Sequence, residues 1–226
     1  MNMTSNVPPA IAQIAPDGNL SAHQKRRFIL QMALRRINPG TGSSAQLMKE
    51  RTTMQAWPDL RKILEGLDWL VIGGVATRAY MPERMTKDLD ILVRKIDGNT
   101  VMERLNKAGY ALVSQLAIAG FAMRSPAGVD VDVLLGEDPW LDEAFAASTA
   151  DLAGYPVISL PFLVILKLTA NRLRDMGDLS TILGWAEETD LAAVRKTVAR
   201  HLPAEREDLE SIIYLGQQER KSAWNS

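Results

Sequence analysis

Two apolar stretches of this chain each carry a pair of aspartates two residues apart: Asp88 and Asp90 in "DLDILV", and Asp130 and Asp132 in "VDVDVLL". No other feature restricts the fold as strongly. In an extended strand, side chains two apart share a face and lie roughly 6.6 Å apart along it. Leu89, Ile91 and Val93 then point the other way, into a core, and Val129, Val131 and Val133 do the same in the second stretch. If the two strands are neighbours, three or four carboxylates converge on one spot. Without counter-charge they would repel, and some would have to stay protonated. Divalent cations remove that conflict. Hard oxygen ligands on a sheet favour Mg²⁺, which keeps waters and completes its shell with substrate phosphates. Two such ions about 3.5–4 Å apart would clamp the attacking and leaving oxygens of an in-line displacement.

The glycines upstream extend this reading. "WLVIGG" is an apolar strand running into Gly73 and Gly74, ahead of a short helical stretch, "VATRAYM". Bare backbone N–H groups between a strand and a helix start favour phosphate oxygens. Phosphates on one side and metal ligands on the other describe a nucleoside-triphosphate site. Blander readings exist for each part. A Gly-Gly pair can be only a tight turn, and an Asp-x-Asp strand can be an edge device against aggregation or a calcium site. The joint order of apolar strand, Gly-Gly, acidic strand and second acidic strand argues for the phosphoryl reading.

Around these strands the pattern is mixed. Residues 1 to about 20 are rich in Pro, Asn, Ser and Gly and read as a flexible arm. Ser21 and Gln24 offer a capping box for a helix to about Ile37 that carries Lys25, Arg26, Arg27, Arg35 and Arg36. That basic face is either simply solvated or a contact for RNA or a partner. "PDLRKILEGL" spaces Leu60, Ile63, Leu64 and Leu67 as an amphipathic helix. Thr100 and Glu103 offer a second capping box, with Gly109 as the stop. "YALVSQLAI" and "GFAMRS" read as strands, and from Ser159 onward the chain reads as successive helices. The expectation is an α/β (α+β) fold with a small mixed β-sheet core flanked by helices and a helical C-terminal region. Its parts are an arm over residues 1–45, a core over 46–158 and the helical region over 159–226.

Taken together, these residues resemble the nucleotidyltransferase superfamily that includes DNA polymerase β. More narrowly they resemble the minimal nucleotidyltransferases of toxin–antitoxin systems, the AbiEii-like and MenT-like group. The resemblance rests on "VIGGVA", "TKDLDILV", "VDVDVLL" and "LPFLVILKLTANRLRDMGDL", and spans about Trp57 to Trp185. It implies that Asp88 and Asp90 are the metal-binding pair, that Asp132 is the third carboxylate with Asp130 as its rival, and that Gly73 and Gly74 cradle phosphates. It also implies that Lys167 meets the triphosphate. Helical spacing bears on the last point separately. At 100° per residue, Lys167, Asn171, Arg174 and Asp178 fall within about 40° of one line, a polar stripe on an apolar helix. Lys167 and Asp178 would be ~16 Å apart on a straight helix, too far to touch. The Arg/Asp cluster of the resemblance also offers Asp178 as a nucleotide ligand, unless Gly177 breaks that helix and leaves Asp178 to cap the next one. Lys167 could instead snorkel to the surface. Arg172 and Arg78 could also reach phosphates, although their spacing does not require it.

Composition narrows the setting. The 226 residues include no cysteine and carry a net charge of −1, so no disulfide forms and no global field draws the protein to nucleic acid or membrane. The apolar runs are shorter than the ~20 residues a bilayer span needs, and the N-terminus lacks a signal-peptide pattern, so a cytoplasmic location is expected. The implied activity is Mg²⁺-dependent transfer of a nucleoside monophosphate from an NTP such as ATP to a hydroxyl. The acceptor would be RNA, such as a tRNA 3′ end, or protein, and the implied setting is a toxin with an antitoxin partner. The alternatives are a non-catalytic nucleotide-binding or scaffold protein on the same fold, and a small-molecule (antibiotic) nucleotidyltransferase.

Overall fold

The computed structural model describes residues 13–17, 21, 24, 57–81, 86, 88–151 and 154–224. The basic helix expected over residues 25–37 lies outside them. Its capping box is present: the Ser21 N–H donates to Gln24 Oε1 at 2.8 Å and the Gln24 N–H to Ser21 Oγ at 3.2 Å.

The fold is mixed α/β, as expected. Among the described residues its strands are β1 (Trp69–Val71), β2 (Asp88–Arg94), β3 (Ala111–Gln115), β4 (Gly120–Arg124), β5 (Asp130–Gly136), β6 (Thr149–Ala150) and β7 (Pro156–Val157). They form one sheet in the order β3-β4-β5-β2-β1-β7-β6. The central pair, β2 and β5, runs parallel in an unbroken register from Asp88 opposite Asp130 to Arg94 opposite Gly136. β1 and β2 are antiparallel, and β1 pairs parallel with β7. The two-residue strands β6 and β7 are too short to leave a period in the sequence and were not anticipated.

Among the described residues the helices are α1 (Gly73–Ala76), α2 (Gly98–Lys107), α3 (Leu141–Ala146), α4 (Leu160–Ala170), α5 (Leu173–Trp185), α6 (Glu188–His201) and α7 (Arg206–Trp224). Helix α2 begins at Gly98, so Thr100 is already inside it and caps nothing. Its end is the expected one: Gly109 takes φ +87, and the Gly109 and Tyr110 N–H groups close on the Asn106 and Leu105 carbonyls at 3.0 Å each. The helix expected over residues 58–67 is instead a run of turns with one helical bond, Leu64 N–H to the Leu60 carbonyl at 2.8 Å. Asp59 is the cause. Its carboxylate accepts the Arg61 N–H and ion-pairs the Arg61 side chain, an Asx turn that competes with helix. The apolar spacing still serves, for Leu60 and Leu64 are fully buried.

Helices cover both faces of the sheet. Gly98, at the start of α2, lies against Leu135 on the face opposite the aspartates. On the aspartate face, Leu141 of α3 lies against Gly136, and Trp140 stacks on Phe162 of α4. Helix α4 is apolar nearly all round and is buried as a central helix should be. Helices α5 and α7 cross at backbone contact: a Cβ added to Gly216 would come within 1.9 Å of the Ser180 carbonyl oxygen and 2.8 Å of the Gly184 nitrogen.

Candidate metal-binding site

The parallel register of β2 and β5 sets all four aspartates on one face at one end of the sheet, Asp88 beside Asp130 and Asp90 beside Asp132. Carboxylate oxygens of Asp88, Asp90 and Asp132 lie within 4.8 Å of one another. The next strand decides why Asp132 joins and Asp130 does not. On β4, Arg124 stands opposite Asp130, and Ala122 stands opposite Asp132. The Arg124 guanidinium donates to both Asp130 oxygens, at 2.7 and 3.0 Å, and holds that carboxyl below its ordinary pKa. Asp132 faces only a methyl group across β4, so its carboxylate is left to the cluster.

Three carboxylates without a cation strain their own ionisation. Burial, then Asp88 and Asp132, push Asp90 up to about 7, against a bond from the Gly74 N–H and the charge of Arg172. Burial, then Asp88 and Asp130, push Asp132 up. Asp88 accepts a hydrogen bond from the Thr86 hydroxyl at 3.1 Å. A set of three oxygen donors crowded enough to hold a proton near neutral pH fits a hard divalent cation.

The glycine turn is built around Asp90. Gly73 has φ +61, and a Cβ there would sit 1.9 Å from Asp90 Oδ2. Both the backbone angle and the carboxylate exclude any side chain. The Ile72 N–H donates to the Asp90 carbonyl at 2.9 Å, and the Thr77 hydroxyl to the Gly74 carbonyl at 2.7 Å, which pins the turn to β2. Gly73 and Gly74, expected to cradle phosphates, also serve Asp90: Gly73 makes room for its carboxylate and Gly74 donates to it.

Lys167 and Asp178 are placed differently from expectation. The helix does not run straight through them. Asn171 takes a left-handed conformation, φ +53, between α4 and α5, while Gly177 lies inside α5 and breaks nothing. The reversal brings Lys167 Nζ to 2.6 Å from Asp178 Oδ2 and 3.0 Å from Asp175 Oδ1. All three side chains are almost wholly enclosed. Asp178 therefore caps no helix and touches the lysine that helical spacing had set beyond its reach. Arg172 completes the group, its Nε donating to Asp175 Oδ2 at 2.6 Å. Asp175 was missed, although "RLRD" places it three residues after an arginine.

No protein-family model matches the chain, and no curated protein matches it. Among solved structures it is similar to ANT(2″)-Ia in complex with adenylyl-2″-tobramycin, at 17% identity and a TM-score of 0.41, over 71% of this chain and 96% of that one. It is similar to the lincosamide antibiotic adenylyltransferase LnuA, at 15% identity and a TM-score of 0.35, over 68% and 92%. A CCA-adding enzyme with CTP matches at 15% identity and a TM-score of 0.36, over 84% of this chain and 51% of that one. Among the described residues, no helix is long and apolar enough to cross a membrane.

Proposed function

We propose that the chain is a Mg²⁺-dependent nucleotidyltransferase. One observation carries the reading: Asp88, Asp90 and Asp132 converge on one point beside a glycine turn that leaves no room for any side chain but Asp90's. Asp88 and Asp90 hold the cations that orient a triphosphate, and Asp132 completes the set, with two ions the expected number. When bound, Mg²⁺ neutralises the three carboxylates and polarises the phosphate oxygens. The acceptor oxygen bonds to the α-phosphorus, the bond to pyrophosphate breaks, and the acceptor proton passes to Asp132.

For the acceptor, the resemblance of residues 57–185 to the toxin-like group supports an RNA 3′ end or a protein hydroxyl, with an antitoxin as partner. The test is incubation of a cell extract with the protein, Mg²⁺ and each α-labelled NTP, followed by separation of labelled RNA from labelled protein. Wild type labels one of them and Asp88→Ala labels neither. Equal labelling by both proteins would remove the metal-site assignment. Binding of Mg²⁺ and NTP without any labelling would leave a non-catalytic nucleotide-binding protein. Labelling of an aminoglycoside or lincosamide alone would move the acceptor to small molecules.

A further inference from the structure

Lys167 is the cation the sequence offers to a triphosphate, yet its ammonium already donates to Asp175 and Asp178, and its side chain is only 5% exposed. Two buried carboxylates already offset that charge, and little of the side chain faces solvent. Charge points elsewhere. One lysine between two enclosed aspartates leaves a net negative charge, which Arg172 offsets from the rim through Asp175 Oδ2. The two ends of this arginine differ. Its Nε is bonded to a carboxylate that is 2% exposed, while the arginine side chain itself is 73% exposed. Nη2 makes only a 3.5 Å contact with Asp175 Oδ1. The outer edge of the guanidinium is therefore turned to solvent on a stem fixed from below. Besides the bond to Asp175, the charge of Asp90 helps raise the Arg172 pKa, so the guanidinium lies within electrostatic reach of the carboxylate cluster.

An exposed arginine on a helix surface is ordinarily mobile, because nothing offsets the entropy of holding it still. Here Asp175 is fixed by Lys167, Lys167 by Asp178, and the turn at Asn171 brings the four side chains together. A planar fork held in one orientation suits phosphate, which it can bind through two parallel N–H bonds. Resting on the nucleotidyltransferase reading above, we propose that Arg172 binds the β- and γ-phosphates of the incoming nucleoside triphosphate. Lys167, Asp175 and Asp178 are its positioning residues.

The test is calorimetric binding to the full chain in MgCl₂. The probes are the four nucleoside triphosphates with a non-hydrolysable α,β-bridge and the corresponding monophosphates. Wild type binds one or more triphosphates more tightly than the monophosphate. Arg172→Gln weakens the triphosphate roughly 10- to 100-fold and the monophosphate less than about twofold. Arg172→Lys falls between, since it keeps the charge and loses the fork. Asp175→Asn shows the same selective loss with Arg172 intact, a pattern that general destabilisation would not produce. Thermal melts of each variant identify unfolding, and the exposed Arg172 variants carry the test if Asp175→Asn does not fold. An unchanged triphosphate-to-monophosphate ratio in Arg172→Gln, alongside a binding-competent wild type, overturns this inference and leaves the metal site standing. A wild type that binds no triphosphate overturns both.

Discussion

Replacing Gly73 with alanine adds one methyl group, and the structure says where it must go. Two costs follow. The residue sits at φ +61, where a non-glycine residue loses about 1–2 kcal/mol. The new Cβ would also lie 1.9 Å from Asp90 Oδ2, so the carboxylate has to retreat by roughly 1 Å or more, or the turn has to lift from β2. Either movement pulls Asp90 from the position that completes the three-carboxylate set. A displacement near 1 Å in a catalytic group costs about 100-fold in rate. The expected outcome for Gly73→Ala is therefore a loss of about 1–3 kcal/mol in urea denaturation and a fall of roughly 100-fold in labelling activity. Stabilisation of the fold by MgCl₂ should be weakened to match. Gly128→Ala, at φ +82 with nothing within 4 Å, is the control for backbone strain alone. It should cost stability and spare Mg²⁺ stabilisation. If Gly73→Ala responds to Mg²⁺ as wild type does, the close approach to Asp90 does not govern the site.

Asp90, raised from 3.8 to about 7, gives a pH dependence of defined sign. Its proton stabilises the native state fully below pH 3.8, and that contribution is lost as pH rises through about 7. Cation-free protein should thus lose on the order of a few kcal/mol between pH 4 and pH 8 from this group. Asp90→Asn should flatten the slope and MgCl₂ should restore stability at pH 8; a stability that does not decline over this range speaks against the crowded cluster. Asp132→Asn should abolish labelling, while Asp130→Asn should leave it within about threefold, because Asp130 is engaged with Arg124 at the exposed edge. Comparable losses in the two variants would undo that distinction. Gly216→Ala, whose Cβ would meet the Ser180 carbonyl and the Gly184 backbone, should destabilise by about 1–3 kcal/mol or more as α5 and α7 are forced apart. Gly177→Ala, in open space on α5, should stabilise by about 0.5–1 kcal/mol; denaturation midpoints for the two glycines that move together would contradict the packing.

The acidic strands were legible because alternation is a local property of the chain, written in "DLDILV" and "VDVDVLL". The choice between Asp130 and Asp132 was not local. It depends on Arg124 facing one and Ala122 the other across β4, and only the strand order supplies that. The separation assigned to Lys167 and Asp178 assumed a straight helix, and the chain reverses at Asn171. Asparagine enters the left-handed region more readily than other side-chain-bearing residues, so the signal for the reversal lies in "TANRL" and not at Gly177. An exposed glycine inside a helix costs only about 1 kcal/mol and need not end it. Over residues 58–67 the apolar spacing located the buried leucines while the Asp59 side chain decided the backbone. Hydrophobic period reports which side of a segment is covered more faithfully than which hydrogen bonds the segment makes.

The seven-rung match of β2 with β5 has a consequence for how errors are handled. Sliding one strand by a single rung against the apolar side chains behind it would invert its two sides, sending aspartates inward and valines out. Each uncompensated acid trapped that way costs several kcal/mol, enough to leave the mis-set arrangement unpopulated. Assembly of the reactive end and completion of the interior are thus one event, and a molecule that has closed its interior has already brought its acids together.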